Sequence, residues 1–509
     1  MLSVTGPGLA VTLGDERATR RLAIDLASVL KPGDTVTLSG DLGAGKSTLA
    51  RALIRHVAGD ARLEVPSPTF TLVQSYALRI PIVHADLYRV SDPGELAELG
   101  LDETGDHAIV LVEWPDRAEG LLPADRIDIS LRLLPQQGMS QRAADITGHG
   151  ALARSVERLK ALRMLLAETG MAEAERRHMQ GDASTRAYER LALGERRMIL
   201  MNAPRRPDGP PVRGGRPYSA IAHLAEDVKP FVAVARALRE RGLSAPQVYS
   251  ADLDEGFLLL EDLGEEGVAA GEPPAPIEER YAAAVDVLAA LHRETLPRVL
   301  PVAPNVEYEL PPYDLEAFLI EAELLVDWYV PHRGAQVSET ARAEFLALWR
   351  EALGTAFATP PTWVLRDFHS PNLLWLAERE GTARVGLLDF QDALIGPAAY
   401  DVVSLLQDAR VDVPSAMEIA LLGRYAKARL TADPDFVPAR FAELYVTLGA
   451  QRATKILGIF ARLDRRDGKP QYLRHLGRVW RYLRRSLQHP SLAGLRAWYD
   501  AHAPEPPDA

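Results

Sequence analysis

The sequence predicts an α/β protein made of two unrelated halves. In residues 1–150, strand-sized apolar runs alternate with segments of helical periodicity, which is typical of a domain with a mostly parallel sheet. From Ala151 onward the pattern changes to several strands and then to a mainly helical region. The length of 509 residues also exceeds that of one typical domain. Because no internal repeat relates the two halves, we expect a fusion.

In the first half, each element has a local signal. Asp15 is a candidate N-cap for a helix whose apolar residues recur at helical spacing. A turn then leads to a short buried strand at 35–39, a glycine-rich loop and a second helix at about 46–57. Three further strand-sized apolar runs follow at 80–83, 108–112 and 127–133. This order favours a parallel-type sheet covered by helices.

In the second half, a helix at 152–166 precedes strands at about 181–193, 198–201 and 257–260. After about residue 270 the pattern is mainly helical, and it is interrupted by strand-like runs at 363–365, 373–376 and 385–388. Two Pro/Gly-rich stretches, 204–217 and 271–276, are expected to be exposed loops. Strands followed by a mainly helical region favour an α+β domain.

Composition excludes several classes of protein. Hydrophobic residues make up 47% and charged residues 25% of the chain, as in ordinary globular proteins. The net charge of −12, from 58 basic and 70 acidic side chains, argues against strong direct binding of nucleic acid. The absence of cysteine excludes disulfides and thiolate chemistry. With neither a signal peptide pattern nor an apolar run of membrane-spanning length, we expect a cytoplasmic protein without membrane contact.

The first chemical motif is a phosphate-binding loop. Gly40-Asp41-Leu42-Gly43-Ala44-Gly45-Lys46-Ser47 fits G-x-x-x-x-G-K-[ST] and lies between a strand and a helix, where such a loop must lie. Backbone N–H groups, including those at Gly43, Ala44 and Thr48, would wrap the phosphates of ATP. Lys46 would reach the β- and γ-phosphates, and the Ser47 hydroxyl would ligate Mg²⁺. The alternative, a plain glycine turn before a helix, fits less of the pattern.

Two acids could complete this site. Asp86 and Glu113 each end an apolar run, and the carboxyl ends of parallel strands form the ligand-binding edge of an α/β sheet. Either acid could bind the metal ion or orient the attacking water. The alternative for each is a solvated acid that only caps its strand.

These motifs resemble the TsaE family, the P-loop ATPases of bacterial tRNA threonylcarbamoyladenosine synthesis. Besides the loop, the resemblance rests on the segments around Thr69, Asp86 and Glu113, and it covers about residues 12–150. It implies an ATPase that acts on a threonylcarbamoyltransferase complex rather than reading RNA itself. It also implies that Glu113 is a second acid at the metal site, and that Asp86 and Thr69 face the nucleotide and are needed for hydrolysis.

The second chemical motif belongs to kinase-type phosphoryl transfer. Asp367 and Asn372 lie five positions apart after a strand, and Asp389 follows another strand 17 residues later. Such a set supplies a base for the acceptor hydroxyl and oxygen ligands for Mg²⁺, with Asp367 as the base and Asn372 and Asp389 at the metal. Asp401 could be a further member of this set, although a cap of the helix at 402–406 is the favoured interpretation.

Upstream signals for ATP binding are weaker. The run Gly181-Asp182-Ala183-Ser184-Thr185-Arg186 suits a loop over phosphates, although a plain hairpin turn also fits. Glu261 begins a candidate hinge whose backbone would meet adenine. The strand at 198–202 lacks the lysine of protein kinases, so Arg186 is a candidate for the missing cation.

This half resembles the aminoglycoside phosphotransferase superfamily and, within it, the AmgK type of amino-sugar kinase, from about residue 162 to 490. The resemblance implies a bilobal protein-kinase-like domain and ATP-dependent phosphorylation of the anomeric hydroxyl of N-acetylmuramate or N-acetylglucosamine. We therefore predict a P-loop ATPase domain at 1–155 and a phosphotransferase domain at 156–509, with a small lobe at about 160–265 and a large lobe at about 266–509.

The acceptor is less determined by sequence. Six side chains on two expected helices could bind a sugar, although ordinary helix surface is the favoured interpretation: Glu321, Glu323, Trp328, Gln451, Arg452 and Lys455. An aminoglycoside, choline or another small alcohol remains an alternative acceptor. A nucleotide-binding regulatory module without transfer activity is a second alternative, and a generic small-molecule P-loop kinase is the alternative for the first half.

Overall fold

The computed structural model describes residues 8–90, 106–118, 120–136, 140–179, 186–205, 209–354 and 356–507. These residues form two compact units, one made of the described residues within 1–203 and 249–259 and the other of those within 204–248 and 260–509. The domain boundary predicted at residue 155 lies inside the first unit. Among the described residues, no helix combines the length and the apolar character needed to cross a bilayer.

The first unit begins with a seven-stranded mixed sheet flanked by two helices. Its elements are β1 (Gly8–Leu13), α1 (Glu16–Ala27), β2 (Thr35–Ser39), α2 (Lys46–Ala58), β3 (Val73–Tyr76), β4 (Ile82–Asp86), β5 (Ile109–Glu113), β6 (Arg126–Leu133) and β7 (Arg142–His149). The strand order is β1-β7-β6-β2-β5-β4-β3. The central strands β6, β2, β5 and β4 are parallel, whereas β1, β7 and β3 pair antiparallel at the edges.

The prediction of a mostly parallel sheet is confirmed for its centre. The antiparallel edge strands were not predicted, because none has a continuous apolar run. Burial alternates along β1 and β7, and β3 has no buried residue. Asp15 caps α1 as expected, since its side chain accepts a 2.7 Å hydrogen bond from the Ala18 amide.

A second sheet follows in the first unit. After α3 (Ala153–Glu168), the next strands along the chain are β8 (Glu175–Met179), β9 (Ala187–Leu193), β10 (Arg196–Asn202), β11 (Pro211–Arg213), β12 (Arg216–Pro217), β13 (Val248–Asp252) and β14 (Phe257–Glu261), of which β11 and β12 belong to the second unit. Five of them form a sheet in the order β13-β14-β10-β9-β8, while β11 and β12 form a separate hairpin. The predicted small-lobe strands are therefore present, and β9 and β10 pair antiparallel along their whole length.

The second unit is mainly helical. Its helices are α4 (Tyr218–Ile221), α5 (Lys229–Glu240), α6 (Glu278–Leu291), α7 (Leu315–Leu324), α8 (Val330–His332), α9 (Glu339–Leu353), α10 (Ala399–Leu406), α11 (Ser415–Ala432), α12 (Pro438–Asp467), α13 (Leu476–Ser486) and α14 (Ala493–His502). Short antiparallel pairs interrupt them: β15 (Ala269–Ala270) with β16 (Ala275–Pro276), β17 (Val299–Ala303) with β18 (Val306–Glu309), β19 (Thr362–Val364) with β22 (Leu394–Gly396), and β20 (Leu373–Trp375) with β21 (Val385–Leu387). The two stretches expected as loops, 204–217 and 271–276, thus contain short strands.

Candidate active sites

The glycine-rich loop lies between β2 and α2. Gly45 is the N-cap of α2 and has a φ of 109°. Gly40 has a φ of 133°, and a Cβ there would lie 2.2 Å from the Leu131 carbonyl oxygen. Both positions therefore require glycine, for backbone conformation and, at Gly40, also for the close approach of β6. The loop presents the N-terminus of α2, where backbone N–H groups and the helix dipole favour an anion.

Lys46 lies within this loop. Its ammonium group donates to the Gly40 carbonyl at 2.6 Å and to the Asp41 carbonyl at 3.1 Å, and it lies 3.7 Å from the ring centre of Trp114. Burial lowers the pKa of Lys46, and the nearby carboxylates of Glu113 and Asp86 oppose that shift. The cation is thus held at the loop by neutral oxygens and an aromatic face.

The two acids predicted from sequence lie side by side. Asp86 and Glu113 are register partners on the parallel strands β4 and β5, and both are buried. The Ser47 hydroxyl donates to Glu113 at 2.9 Å, and the Thr69 hydroxyl donates to Asp86 at 2.8 Å. The structure therefore brings Lys46, Ser47, Thr69, Asp86 and Glu113 to one edge of the sheet. Neither acid is a solvated cap.

Sequence reasoning missed three residues at this edge. His84 Nε2 lies 3.0 Å from Glu113 Oε1, Ser67 donates to Asp86 at 2.9 Å, and Arg142 donates to the Ala44 carbonyl at 2.9 Å. The period of two along a strand places His84 and Asp86 on the same face, so that signal was present in the sequence. Arg142 comes from the unpredicted strand β7 and carried no such signal.

The kinase-like residues lie in the second unit. Asp367 and Asn372 follow β19 and precede β20. The side-chain Nδ2 of Asn372 donates to the backbone carbonyl of Asp367 at 2.9 Å. Leu373 on β20 is paired with Leu387 on β21, and the Leu388 amide donates to the Asn372 carbonyl at 2.9 Å. This register brings Asn372 next to the segment that carries Asp389.

The side chains of Asp367, Asn372 and Asp389 are half-buried, whereas most residues around them are buried. Asp389 has a φ of 56°, an uncommon backbone conformation for a residue with a side chain, and its carboxylate accepts a 2.8 Å hydrogen bond from Gln391. A strained, partly exposed acid is typical of a ligand-binding position. The three predicted residues are therefore assembled where a ligand could reach them.

Asp401 does not cap its helix, so that prediction was wrong. It lies inside α10, and its carboxylate accepts hydrogen bonds from the amides of Leu365 and Arg366 at 2.6 and 2.9 Å. Burial raises the pKa of Asp401 to about 7, against the effect of these two hydrogen bonds. The acid fixes the backbone just before Asp367, a role that only the folded chain reveals.

The residues expected on the helix surface are instead mostly buried. Glu321 receives a 2.6 Å hydrogen bond from the Tyr313 hydroxyl, pairs with Lys455 at 2.9 Å and binds the Arg366 guanidinium. Exposure is only 0% at Gln451 and 2% at Glu323. Arg452 is also buried, whereas Trp328 is half-buried. The surface expectation was wrong because α7 and α12 pack on each other.

The structure describes only some of the residues upstream of Asp367 that were predicted to bind ATP. Gly181 and Ser184 lie outside the described residues, whereas Arg186 immediately precedes β9. Glu261 ends β14, and its carboxylate binds Arg239 at 3.0 Å and Arg379 at 2.6 Å. Its side chain is therefore engaged in ion pairs, and only its backbone could meet a nucleotide base as predicted.

The fold and the two sites define an ATP-using enzyme with a P-loop domain and a kinase-like phosphotransferase domain. Residues 13–143 match the model of the threonylcarbamoyl adenosine biosynthesis protein TsaE, and residues 175–444 match the model of the phosphotransferase enzyme family. The chain belongs to the phosphotransferase enzyme family, and its N-terminal part belongs to the TsaE family.

Individual relatives agree with this assignment. The chain is 41% identical over 363 residues to the N-acetylmuramate/N-acetylglucosamine kinase of Caulobacter vibrioides. The aligned region covers 69% of this chain and 98% of that protein. The kinase of the same name from Pseudomonas aeruginosa is 35% identical and covers 62% and 84%, respectively. The tRNA threonylcarbamoyladenosine biosynthesis protein TsaE of Rickettsia felis is 41% identical over 125 residues, covering 24% of this chain and 72% of that protein. Both resemblances predicted from the sequence are confirmed.

Proposed function

We propose that this protein is bifunctional. Its second half transfers the γ-phosphoryl group of ATP to the anomeric hydroxyl of N-acetylmuramate or N-acetylglucosamine, as in peptidoglycan recycling. Its first half hydrolyses ATP in support of tRNA N6-threonylcarbamoyladenosine formation, by acting on the threonylcarbamoyltransferase complex. The observation that carries the first proposal is the 41% identity over nearly the whole Caulobacter kinase, together with the assembled set of Asp367, Asn372 and Asp389.

In the transferase half, Asp367 is the proposed base. Its partly exposed carboxylate would accept the proton of the acceptor hydroxyl as the oxygen of that hydroxyl bonds to the γ-phosphorus. The bond between the γ-phosphorus and the bridging oxygen breaks at the same time, and that oxygen leaves with ADP. The backbone hydrogen bonds from Leu365 and Arg366 to Asp401 support this assignment, because they hold the base in place.

The residues present fit Mg²⁺ in both halves. Asn372 and Asp389 offer an amide oxygen and a carboxylate, and Ser47 and Glu113 offer a hydroxyl and a carboxylate. Within the described ranges no cluster of three or more acidic or imidazole ligands is assembled, and Mg²⁺ needs none, since it also binds through the phosphates of the nucleotide. When bound, the ion would neutralise phosphate charge. The protein groups would orient the nucleotide around it.

In the ATPase half, Lys46 would exchange its contacts with the Gly40 and Asp41 carbonyls for the β- and γ-phosphates. Asp86, held by the hydroxyls of Thr69 and Ser67, lies beside Glu113 and is the proposed group for orienting the attacking water. Hydrolysis then forms a bond between the water oxygen and the γ-phosphorus and releases ADP and phosphate.

The test is ADP release by the full-length protein with N-acetylmuramate, N-acetylglucosamine, an aminoglycoside and choline. Lys46→Ala and Asp367→Asn variants separate the two ATP sites. We expect sugar-dependent turnover that survives Lys46→Ala and falls by about 10²–10⁴-fold in Asp367→Asn. Turnover with choline or the aminoglycoside, but with neither sugar, would overturn the proposed amino-sugar acceptor. For the ATPase half, hydrolysis that is unaffected by the purified threonylcarbamoyltransferase complex would contradict the proposed partner.

A further inference from the structure

An apolar core in the first unit joins the ATPase domain to the small-lobe sheet. It contains residues of α1 and α2, residues of α3, and four side chains of the second sheet: Leu191, Leu200, Phe257 and Leu259. One face of the phosphotransferase small-lobe sheet is therefore buried against the ATPase domain. Within this unit, the two predicted domains share a core rather than a flexible linker.

A buried polar network lies within the same unit. Arg176 on β8 binds Glu189 on β9 through two nitrogens at 2.8 and 3.1 Å, and it binds Asp25 on α1 at 2.5 Å. Ser28, just after α1, accepts from Arg176 at 2.6 Å and donates to Glu189 at 3.0 Å. Arg163 on α3 also binds Asp25. The guanidinium of Arg176 therefore connects both strands of a small-lobe hairpin to a helix of the ATPase domain.

The network is poorly accessible to water. The side chains of Arg176, Asp25 and Glu189 are only 4%, 8% and 9% exposed. Removing one carboxylate from such a network leaves a buried cation without its partner, which the surroundings can relieve only by moving. Loss of the Asp25 charge would deprive Arg163 of this partner and would leave Arg176 with Glu189 and Ser28 alone. Any relaxation of Arg176 would move β8, the strand that carries it.

The hairpin that this network holds also carries a candidate nucleotide contact. Arg186, the candidate replacement for the missing kinase lysine, lies three residues before Glu189 at the start of β9. We propose that Asp25, a residue of the ATPase domain, is a positioning residue for nucleotide binding by the phosphotransferase half, and that it acts through Arg176 and Glu189. The inference rests on the proposed phosphotransferase function.

The test uses the full-length protein in a Lys46→Ala background, so that only the phosphotransferase site is counted. The dissociation constant of a fluorescent ATP analogue, and the KM for ATP and the kcat at saturating N-acetylglucosamine, are compared between Asp25→Asn and Asp145→Asn. The control removes the same charge from an exposed pair of the same domain, in which Asp145 lies 2.6 Å from Arg132. We expect Asp25→Asn to weaken nucleotide binding and raise KM for ATP at least fivefold, while kcat changes less than twofold. Asp25→Glu, which keeps the charge, should recover most of the affinity.

Two outcomes overturn the proposal: nucleotide binding by Asp25→Asn that equals that of the control, or a loss of kcat with unchanged nucleotide affinity. If Asp25→Asn does not fold, the nucleotide affinity of Ser28→Ala tests the proposal instead, because this variant removes hydrogen bonds to Arg176 and Glu189 but no charge. Affinity equal to the control in Ser28→Ala would then overturn the proposal. The nucleotide-binding measurement needs no acceptor, so failure of the proposed sugar kinase activity is distinguishable from failure of this inference.

Discussion

The ammonium group of Lys455 lies 2.9 Å from the carboxylate of Glu321, and both side chains are buried in the second unit. Glu321 also binds Arg366, the residue immediately before the proposed base Asp367. Burial alone would raise the pKa of Glu321, but Lys455 and Arg366 outweigh it and lower the pKa to about 2. Two buried cations therefore share one carboxylate next to the proposed base.

We expect Glu321→Gln to destabilise the second unit by about 3–5 kcal/mol, because two buried cations lose their shared partner. Urea unfolding measures this change. The control is Glu316→Gln on the same helix, α7. It removes an exposed ion pair with Arg216 on β12 and should cost less than about 1 kcal/mol. Equal losses in the two variants would show that Glu321 is not a structural anchor.

The pKa of Asp401 predicts a pH dependence of stability. Because burial raises it to about 7 from 3.8, the folded protein holds this proton more tightly than the unfolded chain. The stabilisation is complete below pH 4 and is lost as the pH rises through about 7. Relative to Asp401→Asn, the wild type should therefore lose stability between pH 5 and pH 8. Urea midpoints across that range measure it, and a constant difference between the two proteins would refute it.

Two helical glycines provide a matched pair. A Cβ at Gly458 on α12 would lie 2.3 Å from the Leu324 carbonyl carbon at the end of α7, whereas a Cβ at Gly423 on α11 meets nothing within 4 Å. We expect Gly458→Ala to cost about 1–3 kcal/mol through overpacking and Gly423→Ala to gain up to about 1 kcal/mol. Thermal unfolding compares them. A gain in both would mean that α7 and α12 do not approach as closely as described.

The hydrogen bond between Ser47 and Glu113 predicts how the ATPase responds to magnesium. Loss of the carboxylate in Glu113→Gln should raise the Mg²⁺ concentration for half-maximal ATP hydrolysis by roughly tenfold. The control, Asp116→Asn, changes an exposed acid three residues away and should leave that concentration unchanged. An unaltered magnesium requirement in Glu113→Gln would exclude Glu113 from the metal site.

The sequence by itself determined the chemical residues and the local elements that carry them. Glycine spacing predicted the loop around Lys46, because only glycine tolerates its backbone conformations. Apolar runs predicted the central strands that end at Asp86 and Glu113. The spacing of Asp367, Asn372 and Asp389 predicted the second candidate site. These signals are local, so they depend on a few neighbouring residues and need no long-range contact.

Only the tertiary structure decided what surrounds those residues. The edge strand β7, which brings Arg142 to the phosphate loop, pairs with β6 and β1 and has no continuous apolar run of its own. Asp401 binds backbone amides 36 and 35 residues away, and Glu321 meets Lys455 across two packed helices. The same holds for Asp25 and Arg176, separated by 151 residues. Such pairs are fixed by packing, and a polar residue on a helix or strand is buried or exposed according to which element covers it.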